Sequence, residues 1–514
     1  MLSHEGQVRK RPVAICPAPI ISRMVLDADA AYLAVKARDA RFDGRLFVGV
    51  TSTGVYCRPV CRVRTPMRKN CRFFDTRAQA EAAAFRPCMK CRPEIAPGLS
   101  QMDSSRTLAD TAARWIEHAV HTGESLTLPV IAARLGITDR HLRRIFQAAH
   151  GVSPHDYLST QRLLLAKQLL TDTTQPVTQV ALASGFDSLR RFNAAFAERY
   201  RFNPTQLRRE GAPARADMAL RLAYRPPYDV AAVLGFFERR QVQGVEQVDG
   251  LTLRRTVGWT HRGERIAGWL GCRFVPDRNE VHVEASPSLM PVLGEVMQRV
   301  RQGLDLDADP ARIDPVLALL PVPPRPGTRL PGALDGFEGA VRVILGQQVT
   351  VKAARTLVQR LVGRFGTPIE TPWPSLTHVF PHAEAITAAD PEVIGKLGIV
   401  RQRVKALQAL AAAVASGALA LHRGAPIEAT LDALRALPGV GEWTAQVIAM
   451  RSLAWPDAWP ASDIGLMNAL EAAVPALGRT LARNPKHITT LAEPWRPWRA
   501  YAVMRLWQEL ETPA

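Results

Sequence analysis

The chain has 514 residues, 47% hydrophobic and 22% charged, which is too long for one core and fits three or four globular domains. A net charge of +19 with a pI near 10.3 points to a polyanionic partner. No apolar run reaches the roughly eighteen residues needed to cross a membrane, and seven unevenly spread cysteines exclude a secreted disulfide frame, so the expected compartment is the reducing cytoplasm.

Residues 1–24 read as a disordered extension, with Met24 an alternative start. Arg9, Lys10 and Arg11 precede "PVAICPAPII", but three prolines break that apolar stretch, so it is not an export signal.

The charge concentrates early. Residues 41–92 hold twelve Lys/Arg against three Asp/Glu, and residues 106–210 hold fourteen against nine. Within the first segment, Cys57-x3-Cys61 and Cys88-x2-Cys91 lie twenty-six residues apart. That is the two-pair spacing of a tetrahedral Zn(Cys)4 site. Cys71, alone between the pairs, reads as a packed or surface thiol. "LFVGVTSTGVY" alternates apolar and small residues as a strand leading into the first pair would. Spacing alone leaves two readings open, a structural zinc and a reactive one.

"DARFDGRLFVGVTSTGVYCRPVCRVR" with "FFDTRAQAEAAAFRPCMKCRPE" resembles the N-terminal zinc domain of the Ada adaptive-response family. The resemblance implies one Zn2+ held by Cys57, Cys61, Cys88 and Cys91, with Cys57 irreversibly accepting a methyl group from DNA phosphotriesters. Zinc keeps thiols deprotonated at neutral pH. Four thiolates on Zn2+ carry a local charge of −2, and methylation of one leaves −1. Arg58, Arg62, Arg64, Arg68, Lys69 and Arg72 would hold a DNA backbone against this centre, and methylation would tip the balance towards binding.

Residues 104–210 read as helical, with two related segments. In each, an apolar-periodic helix ends at Gly136 or Gly185, a turn carries a capping Thr138 or Asp187/Ser188, and an Arg-rich helix follows. This is the helix-turn-helix plan, whose second helix enters the major groove. Arg140, Arg143 and Arg144 fall on or beside the first recognition helix, and Arg190 and Arg191 on the second. The duplication, with "GVSP" and "FNP" after each unit, resembles the AraC-type regulator domain.

"EGAPARAD" (210–217) reads as a linker between two independent cores. Beyond it, residues 218–325 alternate strand-like runs with a helix, a small α+β domain, and residues 326–514 read as helices. "LRALPGVGEWTAQVIAM" is a helix-hairpin-helix: Gly439 and Gly441 permit the turn and the amides after it face a phosphate. Asp463, twenty-two residues after Gly441, would with Ser462 cap the helix beginning at Ile464.

From "YRPPYDVAAVLGFF" through "FEGAVRVILGQQVTV", "LPGVGEWTA" and "PASDIGLMNAL" to "WRPWRAYAVMRLW", this half resembles the AlkA-type 3-methyladenine DNA glycosylases. The resemblance implies that Asp463 is the catalytic carboxylate and that Trp443 and Trp507 line the base pocket. The strand-cutting relatives carry a lysine where Trp443 stands, so the implied enzyme is monofunctional. The family's apolar wedge falls at Gln348, which leaves a weaker wedge or a hydrogen bond to the orphan base.

The expected molecule is thus multidomain, α+β and mainly α: a zinc domain over 25–100, a double helix-turn-helix over 104–210, an α+β domain and a helix-hairpin-helix glycosylase domain. Its expected partners are double-stranded DNA, alkylated or at promoters, and RNA polymerase, and the expected state is a monomer in the cytoplasm, associated with the nucleoid. The rival expectation is a zinc-stabilised transcription factor whose glycosylase-like half is an inactive clamp.

Overall fold

The computed structural model describes residues 28–97, 108–123, 126–135, 137–173, 175–211, 219–261, 264–475 and 478–511. The extension over 1–24, Gly136 and linker residues 212–217 lie outside them, while Glu210 and Gly211 end the helix Pro204–Gly211.

The first unit is a four-stranded sheet in the order Cys71–Phe74, Phe47–Val50, Val55–Cys57, Arg86–Pro87. The stretch expected as a single strand is a hairpin, with Val48 opposite Cys57 and Val50 opposite Val55. Gly54, at φ +64°, makes its turn, a left-handed conformation that alternation of side chains does not reveal. Val55 and Tyr56 then pair in parallel with Arg86 and Pro87. That register carries Cys57, at the end of one strand, level with Cys88, just past the other.

Two helix pairs follow: Leu128–Arg134 with Asp139–His150, and Val177–Ala183 with Leu189–Tyr200. The 19-residue helix Pro154–Asp172 joins them. Thr138 accepts the His141 N–H at 3.2 Å and Ser188 the Arg191 N–H at 3.2 Å, capping the two Arg-rich helices. Gly185 takes φ +79° in the second turn.

Past the linker, a five-stranded antiparallel sheet runs Ala219–Ala223, Glu280–Ala285, Glu264–Val275, Thr252–His261, Glu246–Asp249. From Gly336 onward the chain is almost wholly helical, with its own apolar cluster built on Ile344, Leu361, Leu407, Leu434 and Ile448.

The expectation of two independent cores is corrected. One apolar cluster joins Leu169, Phe196 and Leu207 of the helical middle to Leu222 and Val296 of the α+β unit. The physical reason lies in the joining helix: it is buried without a break from Leu163 to Asp172, and a helix covered all round needs partners on every side. Gly294 allows close approach, since a Cβ there would stand 2.9 Å from the His121 carbonyl oxygen. Buried polar contacts fasten the first unit as well. Arg92 pairs with Glu94 at 2.9 Å and with Asp172, and Lys167 reaches Glu94 at 2.6 Å. Arg225 of the α+β unit donates through Nε to the Asp43 carbonyl at 3.0 Å.

Candidate functional site

The ligand atoms of Cys57, Cys61, Cys88 and Cys91 all lie within 4.8 Å of one another. A tetrahedron with Zn–S near 2.3 Å has sulfur–sulfur edges of about 3.8 Å, so the four fit one ion. Packed this closely, the sulfurs shift one another: burial pushes the Cys91 thiol up, while the hydrogen bond with Cys57 holds Cys61 down. Cys71 stands outside this cluster, its thiol donating to the Met67 carbonyl at 3.4 Å.

A groove of about 490 Å³ opens beside Cys57, Cys61 and Cys88, with Val48, Val55 and Val63 in its walls. Arg62 and Arg64 are exposed, as the sequence reading requires. Arg58 is not, and its expected DNA contact is corrected. It is 5% exposed and donates through Nε to Asp43 at 2.8 Å, through Nη2 to the same carboxylate, and through Nη1 to the Cys91 carbonyl at 3.0 Å. A guanidinium with a bidentate buried carboxylate has no fork left for phosphate. Sequence reasoning missed Arg86 and Lys90, exposed beside the groove. The signal was present, because they flank Cys88 in "FRPCMK".

On the first Arg-rich helix, Arg140, Arg143 and Arg144 are exposed and share a concave surface with His141 and Gln147, which the sequence reading passed over. Arg140, Arg144 and Gln147 follow the four- and three-residue steps of one helix face, which was legible. Arg190 and Arg191 are exposed in the first turn of the second.

The C-terminal hairpin joins Ile427–Arg435 to Glu442–Ser452. Gly439 sits at φ +77°, whereas Gly441, at φ −92° and ψ −178°, is extended backbone open to any residue. The turn therefore needs Gly439 alone. Gly441 lies in open space, where a Cβ would meet nothing within 4 Å, and no side chain caps the helix that follows. Gln348 is exposed at φ +53° in the turn between Gly336–Leu345 and Val351–Phe365. Its neighbour Gln347 ties that turn to the hairpin, donating to the Gly439 carbonyl at 2.9 Å and to Thr444 Oγ1 at 2.8 Å.

Asp463 is the N-cap of Ile464–Ala473, and its Oδ1 accepts the Leu466 N–H at 2.7 Å. It is also held from the side. Trp443 Nε1 donates to Oδ2 at 2.8 Å and Trp507 Nε1 to Oδ1 at 3.0 Å. The two tryptophans, expected as pocket lining, thus orient the carboxylate as well. They also line a cleft of about 240 Å³ that Phe236, Phe237, Val447 and Arg451 complete. Phe236 and Arg451 escaped the sequence reading because they belong to different units and nothing local shows that they meet.

Four family models match the chain. They are the metal binding domain of Ada over residues 30–94, a helix-turn-helix domain over 131–210, the AlkA N-terminal domain over 219–335 and the HhH-GPD superfamily base excision DNA repair protein over 341–497. A Mycobacterium tuberculosis protein described as a probable bifunctional transcriptional activator/DNA repair enzyme AlkA is 38% identical over 504 residues, 95% of this chain and 97% of its own length. The DNA-3-methyladenine glycosylase 2 of Escherichia coli is 34% identical over 56% of this chain and 95% of its own. The Escherichia coli bifunctional transcriptional activator/DNA repair enzyme Ada is 32% identical over 31% of this chain and 43% of its own. The cysteine cluster binds zinc, the chain binds DNA, and the protein belongs to the family of bifunctional transcriptional activators and DNA repair enzymes that fuse an Ada-type metal-binding domain and helix-turn-helix to an AlkA-type glycosylase.

Proposed function

We propose that this chain senses, reports and repairs DNA alkylation, with Cys57 as the methyl acceptor and Asp463 as the glycosylase carboxylate. The observation that carries the reading is the pair of indole N–H groups converging on Asp463 from two tryptophans whose rings, with Phe236 and Phe237, line one cleft. Excision of a flipped, alkylated base breaks the N-glycosidic bond; the bonding electrons leave with the base and positive charge grows on the sugar. A carboxylate fixed by three donors stabilises that charge without having to reorganise. Trp443 and Trp507 offer ring faces to a base made cationic by alkylation. The extended backbone at Gly441 gives a DNA phosphate access to the first amides of Glu442–Ser452, and Gln348 enters the stack that the base has left. With Trp443 where a lysine nucleophile would be required, the enzyme stops at hydrolysis.

At the other end, zinc supplies the charge that keeps the four sulfurs deprotonated. Cys57 Sγ attacks the methyl carbon of a phosphotriester, the methyl C–O bond breaks, and its electron pair returns to the phosphate as a diester anion. Arg64, Arg86 and Lys90 hold the backbone at the groove, with the exposed Arg62 next to Cys61 in the chain. Arg140, Arg143, Arg144, Arg190 and Arg191 read promoter DNA from the two recognition helices. Among the described residues no helix is long and apolar enough to cross a membrane. A monomer acting in the cytoplasm, at the nucleoid and with RNA polymerase, completes the reading.

The test incubates the full chain with methylated duplex DNA, separates released bases by chromatography and maps methylated cysteines by peptide mass spectrometry. Release of 3-methyladenine together with methyl on Cys57 is expected. Binding without release would make the C-terminal half a clamp, and release without a methylated cysteine would make the zinc purely structural.

A further inference from the structure

Arg451 is a charged group beside the cleft that takes no part in holding Asp463. It lies on the helix Glu442–Ser452, where Trp443, Val447 and Arg451 follow at steps of four and so share one face. Helical side chains lean towards the N-terminus, which brings this guanidinium back along the helix towards Trp443. All three residues line the 240 Å³ cleft.

The guanidinium sits 4.1 Å from the centroid of Phe236, and its Nη1 is buried without a hydrogen-bond acceptor among the described residues. The acids nearby are already engaged. Glu246 pairs with Arg255 at 3.4 Å and Arg342 at 2.8 Å, and Glu338 pairs with Arg255 at 2.6 Å and Arg342 at 2.7 Å. Arg240 lies 3.9 Å from the same Phe236 ring and adds a further cation. Burial, with Arg240 and Arg342 alongside, pushes Arg451 well below the usual guanidinium range. A buried donor without a partner is costly, and a half-buried guanidinium that lines a cleft has a partner within reach once the cleft is filled.

We propose that Arg451 is a specificity-determining residue that donates a hydrogen bond to a carbonyl oxygen of the flipped base. The chemistry discriminates at position 6 of a purine. Guanine-type lesions present an oxygen acceptor there, whereas adenine-type lesions present an amine whose N–H groups oppose another donor. Arg451 therefore raises the excision of 7-methylguanine relative to 3-methyladenine, while Asp463 and the two tryptophans serve both. This inference rests on the glycosylase reading.

The test measures single-turnover release of both bases from one methylated duplex by the full chain carrying Arg451, Arg451→Met or Arg451→Lys. Taking both rates from the same reaction cancels any loss of folded protein. Arg451→Met should lower the ratio of 7-methylguanine to 3-methyladenine release about tenfold, the scale of a lost charge-assisted hydrogen bond, and Arg451→Lys should restore part of it. A ratio unchanged in both variants, even if the two rates fall together, overturns the proposal and leaves Arg451 as a support for Phe236. Failure of the unsubstituted chain to release either base overturns the glycosylase reading itself, and this inference with it.

Discussion

Asp463 and Trp443 are joined by a hydrogen bond of 2.8 Å from the indole Nε1 to Oδ2, and Trp507 holds the other carboxylate oxygen at 3.0 Å. Trp443 starts the helix after the hairpin turn and Trp507 lies in the C-terminal helix Arg499–Glu511. The carboxylate is therefore fixed by two distant stretches of chain in addition to its own helix.

A Phe at position 443 or 507 keeps an aromatic wall and removes only the N–H. If the tryptophans orient Asp463, Trp443→Phe and Trp507→Phe should each slow base release about tenfold, the scale of one hydrogen bond to a charged group. DNA affinity should stay near that of the unsubstituted chain. Rates unchanged in both variants would reduce the two residues to pocket lining.

Residues 213–514 alone should express poorly or melt well below the full chain. Removing the first two units uncovers Leu222 and Val296, which pack in one cluster with Leu169 and Phe196, and takes the Asp43 carbonyl from the buried Arg225. Exposed core surface of that kind is destabilising at about 25 cal/mol per Å². Soluble yield and a thermal melt decide the matter, and a fragment as stable as the full chain would show that the shared cluster contributes nothing.

Glu81 links stability to pH. It is buried where the zinc unit meets the second recognition helix, with the Tyr56 hydroxyl donating to Oε1 at 2.9 Å and Arg199 3.9 Å from Oε2. Burial pushes its carboxyl from 4.5 up to about 7. Between those values the folded chain keeps a proton that the unfolded chain has lost, so stability is greatest below the lower value and falls as pH rises through the window. Glu81→Gln, neutral throughout, should remove most of that fall, on the order of 3 kcal/mol. Urea melts at pH 5 and pH 8 measure it, and equal slopes for variant and unsubstituted chain would contradict the assignment.

Methylated protein should bind a promoter fragment more tightly than unmethylated protein at matched salt, because the metal centre loses one negative charge beside Arg62, Arg64, Arg86 and Lys90. One unit charge near a phosphate is worth roughly 1 kcal/mol per close contact in a solvated setting. Cys57→Ser should abolish methyl transfer, whereas loss of Cys61, Cys88 or Cys91 should release zinc and unfold the unit. Equal titration curves would remove the switch, and methyl on Cys71 would move the acceptor.

The sequence carried the four cysteines, the duplicated helix pairs, the hairpin and Asp463, because metal spacing, capping and turn chemistry are local. It concealed what arises from pairing. Arg58 resembles every other arginine in "CRPVCRVR" until the fold brings Asp43 to it. The linker looked like a boundary because its composition is a boundary's, yet the helix Pro154–Asp172 buries its apolar surface against residues on both sides of it. Arg451 directly follows the hairpin motif, yet only the meeting of Phe236 with that helix makes it visible.

Whether Asp463 is the glycosylase carboxylate is decided by single-turnover release of 3-methyladenine from full-length Asp463→Asn. The amide can still accept the Leu466 N–H, so the cap survives, but the charge that faces the developing oxocarbenium is gone. Loss of one electrostatic catalytic group is on the order of 10²–10³ in rate. A fall of at least that size is expected, with DNA affinity near that of the unsubstituted chain; release at a similar rate would make Asp463 a helix cap and nothing more.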